Sequence, residues 1–376
     1  MKIYDFAVIG GGMAGASTAY ELARHGSVAL IERETQPGYH STSRSAATLI
    51  EGYGTDVWRA IGSASRLFMD NPPDGFAEHP ILSPRGDLSV GREDQTDTIR
   101  AECDKVSATG VKVELVDAQG VRDLCPTLKP DMWAAGYYEP GAADIDVDAL
   151  LQGYLRSFRA NGGEIFLGTG VEVISKPDDW QVTFGAETIA CRTLVNAAGA
   201  WADELASMAG LPARGLQPKR RTAIAFAAPD DMSGSDAWPM VGDFSETFYF
   251  RPLSSGQFMG SMADETDSLP CDCQPEELDI AITADRIQNA TTMTIPRLDH
   301  TWAGLRTFAP DRNPVIGPDP SDETFIWIAG QGGTGIIGAP AAAQLAACIV
   351  TGNGIPQHLA GINLEDISPA RLEAAS

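Results

Sequence analysis

The stretch Tyr4-Asp5-Phe6-Ala7-Val8-Ile9-Gly10-Gly11-Gly12-Met13-Ala14-Gly15-Ala16, running on to Val28-Ala29-Leu30-Ile31-Glu32, decides the fold. Tyr4–Ile9 reads as an apolar strand, Gly10–Gly15 as a tight turn, and Ala16–His25 as a helix packing through Ala16, Ala19, Tyr20, Leu22 and Ala23. Gly26 follows where a left-handed residue closes a helix. Val28–Glu32 is then a second strand ending on an acid. Such a β-α-β unit demands a parallel sheet covered on both faces.

Gly10-x-Gly12-x-x-Gly15 gains its meaning from that setting, after a strand and at the start of a helix. The first glycine permits the turn, the second lets a pyrophosphate approach the backbone, and the third lets helix and strand pack closely. The helix N-terminus offers amide N–H groups and a partial positive charge to the phosphates. Glu32 stands where an acid accepts hydrogen bonds from a ribose. The unit predicts dinucleotide binding.

Outward from this unit, the chain has 376 residues, 43% of them hydrophobic and 21% charged, an ordinary globular composition sufficient for a large core. Its length suits two domains, or one with insertions. A net charge of −24 argues against a sequence-independent grip on nucleic acid or anionic lipid, and an anionic ligand would need a locally basic site. Six cysteines form no disulfide framework, and Cys271-Asp272-Cys273 lacks the second pair that structural zinc needs. With histidines only at 25, 40, 79, 300 and 358, no metal site is expected.

No secretory leader is legible, because Glu21 and Arg24 interrupt the apolar start. The uncharged stretch Thr324–Leu364 is broken by Gln331, Asn353, Gln357 and five glycines between 330 and 338. It predicts a buried helix entered through a glycine-rich loop, since a span needs about 20 mainly apolar residues. The expectation is a soluble, cytoplasmic protein with no integral membrane segment.

Residues 45–145 read as turn-rich with short helices, notably at Asn71-Pro72-Pro73-Asp74-Gly75. A helix is expected over 146–161, then strands at Glu164–Leu167, Val171–Ile174, Gln181–Phe184 and Arg192–Val195. Thr222–Ala228, Thr247–Phe250 and Gln257–Gly260 alternate as in an antiparallel sheet. Phe325–Ala329 is a last buried strand, and Ala339–Val350 a last helix. The fold class is therefore α/β, a Rossmann-like domain assembled from both ends of the chain with a mixed or antiparallel-sheet domain inserted. The division is 1–47, 145–215 and 300–376 against 48–144 and 216–299.

After Glu32 the chain turns into Arg33-Glu34-x-x-Pro37-Gly38-x-x-x-Ser41-Thr42-Ser43-Arg44-Ser45-Ala46-Ala47 instead of another regular βα unit. Hydroxyls at Ser41 and Thr42 can bind phosphates, and small residues at Ser45, Ala46 and Ala47 let backbone approach a flat ring. The same composition suits a plain surface loop.

Together these segments resemble the D-amino acid oxidase-type family of flavoproteins, which includes glycine oxidases, sarcosine oxidases and D-amino acid dehydrogenases. Val195-Asn196-Ala197-Ala198-Gly199-Ala200-Trp201 is similar to its second flavin-contacting segment. Gly330-Gln331-Gly332-Gly333-Thr334-Gly335-Ile336 is similar to its C-terminal flavin loop. The resemblance is strongest to the D-arginine dehydrogenase group, through Gln36–Thr42, Asp70–Pro73, Gly215–Arg221 and His300–Arg306. It implies FAD, with contacts from Met13, Ala14, Arg33, Arg44, Val171, Ala198, Gly199, Trp201, Arg306, Gly332, Gly333, Thr334, Gly335 and Ile336. No cysteine stands where a covalent flavin link could be argued, so non-covalent FAD is expected.

Oxidising an amino acid at Cα sends a hydride to the flavin, so the protein chiefly binds and orients. A carboxylate anchor is the main polar need, and the planar fork of arginine suits it. The resemblance places Arg221 and Arg306 on that carboxylate with the hydroxyls of Tyr53 and Tyr249. Arg220 competes with Arg221, since neighbours on a strand face opposite ways.

A family glutamate that reads a cationic side chain is matched by Asp87, and Glu51 offers a second acid; both also suit a solvated acidic surface. Thr48 and Ile337 replace a family histidine and glutamine, while Met240 and Gly333 complete the implied pocket. Gln257–Gly260 lacks the lysine that sarcosine oxidases use with oxygen, which favours a dehydrogenase passing electrons to a quinone or other carrier.

The expected reaction is oxidative deamination of a small, basic or polar D-amino acid by a monomer or loose homodimer. Alternatives are a secondary amine of sarcosine, proline or opine type, a 2-hydroxy acid, or a flavin subunit of a larger electron-transfer complex.

Overall fold

The computed structural model describes residues 1–229, 232, 234–253 and 256–372, so the last four residues of the expected segment 300–376 lie outside it. The opening unit comprises β1 (Lys2–Ile9), α1 (Met13–Leu22) and β2 (Val28–Ile31). β1 pairs in parallel with β2 on one side and with Glu187–Asn196 on the other. Both faces are covered, as a parallel sheet requires. Val8, Val28 and Leu30 pack with Ala16, Leu22, Tyr154 and Leu345, while Ala7, Ile9, Ala29 and Ile31 meet Trp180, Leu194 and Trp327.

α1 begins three residues before the expected start, inside the glycine motif, because Thr42 Oγ1 accepts from the Met13 amide at 3.0 Å and caps it. The helix ends at Ala23 rather than at a left-handed Gly26. Gly26 is bare for another reason: a Cβ there would lie 2.8 Å from Asp5 Oδ2.

The first sheet has eight strands. Its main path is Val171–Ser175, Trp180–Phe184, Glu187–Asn196, β1, β2 and Glu164–Phe166. Asp322–Ala329 joins Glu187–Asn196 in parallel (Leu194↔Phe325) and pairs with Val315–Asp319. The helix Ala339–Thr351 that follows packs on α1, so both ends of the chain build one unit. The glycine loops after β1 and after Asp322–Ala329 thereby meet at the carboxyl ends of parallel strands, where α/β sheets hold ligands.

The second sheet has nine strands, ordered Thr266–Asp267, Gln217–Ala227, Gln257–Ser261, Tyr249–Leu253, Met240–Asp243, Asp87–Gly91, Ala135–Glu139 and Glu114–Asp117, with His300–Phe308 on the free side of Gln217–Ala227. It is mixed, because Met240–Asp243 runs parallel to Asp87–Gly91. His300–Phe308 pairs from Gln217↔Phe308 to Ala225↔His300. A boundary at residue 300 therefore cuts through this sheet, and the return to the first sheet falls after Phe308.

The strand expected at Thr247–Phe250 starts at Tyr249. Asp243 Oδ1 accepts from the Thr247 and Phe248 amides and holds them in a turn. The region 45–145 is more regular than its turn residues suggest. It contains the 15-residue helix Asp56–Asp70, capped by Thr55, and the 12-residue helix Thr96–Ser107.

Alternation in the second sheet separates core from cavity. Leu88, Val90, Ile224, Phe226, Val241, Phe250 and Phe258 pack together with Ile287 of the helix Glu277–Ala290. Asp87, Ser89, Arg221, Met240, Gly242 and Tyr249 alternate with them and line a cavity on the other face. Fully burying each large apolar side chain contributes about 1.5–3 kcal/mol. Among the described residues no helix is long and apolar enough to cross a membrane, and no cluster of His, Cys, Asp and Glu could hold a metal ion.

Candidate functional site

A cleft of about 580 Å³ opens at the carboxyl ends of β1, β2 and Asp322–Ala329. Its wall includes Gly10, Gly12, Met13, Ala14, Glu32, Arg33, Ser41, Thr42, Ser45, Val171, Ala198, Gly199, Trp201, Arg306, Gly332, Gly333, Gly335 and Ile336, all expected from sequence. Glu32 is buried, and its carboxylate accepts from Gly11 N at 2.6 Å and Glu34 N at 2.8 Å. The Arg33 guanidinium stacks 4.4 Å above the Trp201 ring.

Other expected cofactor residues lie elsewhere. Gly15 is away from the cleft wall; a Cβ on it would come within 1.8 Å of Gly10 O, so it serves helix–strand contact. Arg44 turns outward, donating to Cys273 O at 2.9 Å and Ala303 O at 3.1 Å and pairing with Asp272. Ala46, Ala47 and Thr334 line the neighbouring cavity instead.

The cleft suits a large polar cofactor. Gly333 has nothing within 4 Å of where a Cβ would sit. His40 Nδ1 and Gln331 Nε2 are buried without a partner on residues of the cleft wall, two groups the sequence reading did not single out. Buried polar atoms of this kind need a partner that the described residues do not supply.

The neighbouring cavity, about 880 Å³, shares Ser45, Arg306, Gly333 and Ile336 with the cleft. Thr48, Tyr53, Asp87, Arg221, Met240, Tyr249 and Ile337 line it as expected. Glu51 does not: its carboxylate pairs with Arg66 at 2.9 Å. Arg220 points to the opposite face and pairs with Glu276 and Asp279, leaving Arg221 on the cavity side. Gln257–Ser261 lines neither space, so its lack of a lysine carries no weight; among the residues lining both spaces, however, there is no lysine.

Arg306 is 7% exposed and donates to a carbonyl, Arg44 O, at 3.2 Å. Burial and the charge of Arg221 hold its pKa below the usual arginine value. Arg221 donates to Asp264 O at 2.8 Å and reaches Glu265 only at 3.4 Å. Glu265 is engaged by Arg312 through two bonds, at 2.7 and 2.9 Å, which hold its carboxyl below the ordinary range. This pair also escaped the sequence reading. Arg306, which has no ion pair among the described residues, and Arg221, whose contact with Glu265 is shared with Arg312, together form an anion site.

Across the cavity, Asp87 is 8% exposed and raised well above the ordinary carboxyl pKa by burial and then by Glu139. The four non-glycine residues with positive φ among those described, Ala47 (49°), Glu246 (53°), Ala263 (55°) and Arg312 (65°), all line this cavity. Such backbone costs of order 1–3 kcal/mol each and gathers at functional sites.

A Rossmann-like cleft opening into a cavity that holds Arg221 and Arg306 defines a dinucleotide-binding protein with an adjoining ligand site. The family model described as FAD dependent oxidoreductase (DAO) matches residues 5–349. The chain belongs to that family, and FAD is its cofactor. It is 26% identical to the glycine oxidase of Bacillus licheniformis, over 94% of this chain and 95% of that protein. It is also 26% identical to the hydrogen cyanide synthase subunit HcnC of Pseudomonas aeruginosa, covering 89% of each. Among solved structures, L-proline dehydrogenase from P. horikoshii superposes with a TM-score of 0.86 at 21% identity, over 98% of both chains. Glycine oxidase from Geobacillus kaustophilus gives 0.85 at 20%, over 100% of both.

Proposed function

We propose that the protein oxidises the CH–NH bond of a small amino acid, of D configuration and with a basic or polar side chain. The observation that carries this is Arg306, a buried guanidinium beside Arg221 on a wall shared by the cofactor cleft and the neighbouring cavity. A substrate carboxylate supplies the anion that Arg306 lacks, with Arg221 beside it, and the hydroxyls of Tyr53 and Tyr249 border it. Asp87, at the other end, offers an acid to the side chain. Held at both ends, the substrate presents Cα at the walls common to the two spaces, Ser45, Gly333 and Ile336. FAD, bound non-covalently, supplies the two-electron acceptor for the hydride leaving Cα.

The absence of lysine from both linings supports a dehydrogenase that passes electrons to a quinone or similar carrier. A secondary amine is the second reading, favoured by the likeness to an L-proline dehydrogenase. It uses the same arginines and leaves Asp87 without a partner. The deciding experiment mixes the holoenzyme anaerobically with D- and L-amino acids, N-methylglycine and D- and L-proline while the visible flavin band is followed. Bleaching by basic or polar D-amino acids is expected. Bleaching by N-methylglycine or proline alone would overturn the proposal in favour of the second reading.

A further inference from the structure

Asp87 and Glu139 are directly opposite each other in the antiparallel pairing of Asp87–Gly91 with Ala135–Glu139, so their side chains emerge on the same face of the sheet. Among the described residues no hydrogen bond or ion pair reaches the Asp87 side chain, which faces the cavity while 8% exposed. Glu139 is 1% exposed and accepts from the amides of Glu51 and Gly52, both at 2.9 Å. These contacts fix the backbone that leads into Tyr53.

The charges around this pair are already matched. Arg66, on the helix Asp56–Asp70, is shared by Glu51 and Asp70. Arg59, on the same helix, is shared by Asp56 and by Glu102 of the helix Thr96–Ser107. Tyr137, two residues before Glu139, adds a neutral phenol that burial and the two carboxylates keep protonated. Arg251, on the cavity face of Tyr249–Leu253, shares Asp144 with Arg85, and among the described residues no cation bonds to Asp87 or Glu139. Two adjacent carboxylates in a poorly solvated site do not both ionise, and they titrate as a unit.

We propose that Asp87 and Glu139 jointly hold one proton while the cavity is empty and release it when a cationic side chain enters, which makes Glu139 a specificity-determining residue for basic substrates. The inference rests on the reading of Asp87 as the side-chain end of the substrate site. The step balances: a carboxylic O–H breaks, the proton passes to water, and the carboxylate pairs with the incoming ammonium. A neutral ligand provides no charge to displace the proton. Glu139 thus acts through Asp87, as a positioning group for charge.

The test uses ligands that carry a carboxylate but no α-amine and so cannot be oxidised: 6-aminohexanoate and, as its uncharged-tail counterpart, hexanoate. Calorimetric titration of the holoenzyme at pH 6.5 in two buffers of different protonation enthalpy counts protons exchanged. We expect close to one proton released per 6-aminohexanoate and close to none per hexanoate. Affinity for 6-aminohexanoate should rise up to about tenfold per pH unit below the apparent pKa of the pair, as one-proton linkage requires. In Glu139→Gln that rise should move to lower pH, and in Asp87→Asn it should vanish while hexanoate still binds. Equal proton exchange by the two ligands, or an unmoved pH profile in Glu139→Gln with FAD retained, would overturn the proposal alone. Failure of either ligand to perturb the flavin spectrum would overturn it together with the substrate site on which it rests.

Discussion

Arg306 lies diagonally across from Arg221 on adjacent strands, over the bare backbone of Gly304, which is the residue directly opposite Arg221. A Cβ on Gly304 would press on Arg44 Cβ at 3.1 Å and stand in ordinary contact, 3.4 Å, with Arg306 Nη1, so the bare backbone makes room chiefly for Arg44. Truncating either arginine leaves a substrate carboxylate half-held. Loss of one partner from a buried charged contact costs about 2–5 kcal/mol, a factor of roughly 30 to several thousand. Arg221→Ala and Arg306→Ala should each raise KM for amino-acid substrates by factors in that range with FAD still bound. Arg220→Ala, on the other face, should lower Tm and leave KM within about twofold. Steady-state kinetics on the three variants checks the contrast, and a KM effect from Arg220 equal to that from Arg221 would refute it.

Gly15→Ala should remove FAD. The added methyl would lie 1.8 Å from Gly10 O, a contact that only a shift of α1 away from β1 can relieve. That shift displaces the glycine turn and the first-turn amides at the cleft. The ratio of flavin to protein absorbance after purification is the readout, and a variant with full flavin content would sink the idea.

How far the sequence reveals these features depends on how local they are. The β-α-β unit and its glycines are contiguous, so the strand period, turn and helix could be read directly. Arg221 becomes distinguishable from Arg220 once strand bounds are known, because alternation then gives each residue a face. Arg44 shows the opposite case: its neighbour Ser45 lines the cleft, but Asp272, far along the chain, draws the guanidinium outward. Glu51 was drawn away in the same manner by Arg66. Glu139 was illegible, since its meaning comes from register with Asp87 and from the Glu51 and Gly52 amides.

Reoxidation should distinguish the acceptor. With no lysine among the residues lining the cleft or the cavity, reduced holoenzyme is expected to react slowly with oxygen and at least tenfold faster with a soluble quinone. Stopped-flow recovery of the flavin band in air-saturated buffer, with and without the quinone, measures both rates. Rapid recovery in oxygen alone would assign an oxidase.

Glu139 should also leave a mark on stability. Burial raises its pKa from 4.5 to about 7, against the two amides that favour its charged form. Between those values the folded chain keeps a proton that the unfolded chain has released. The linkage slope is therefore negative: the stabilising proton is fully present below the unfolded pKa, and stability is lost as pH rises through the folded one. At about 1.4 kcal/mol per unit, this group accounts for roughly 3 kcal/mol across that window. Carboxylates with lowered pKa, such as Asp5 and Glu265, act in the opposite sense, so total stability hides the effect. Comparing the wild type with Glu139→Gln exposes it, because the amide cannot ionise and no longer raises the pKa of Asp87. The variant should gain on the wild type by several degrees in Tm between pH 5 and pH 8. A constant difference across that range would show that Glu139 does not titrate there.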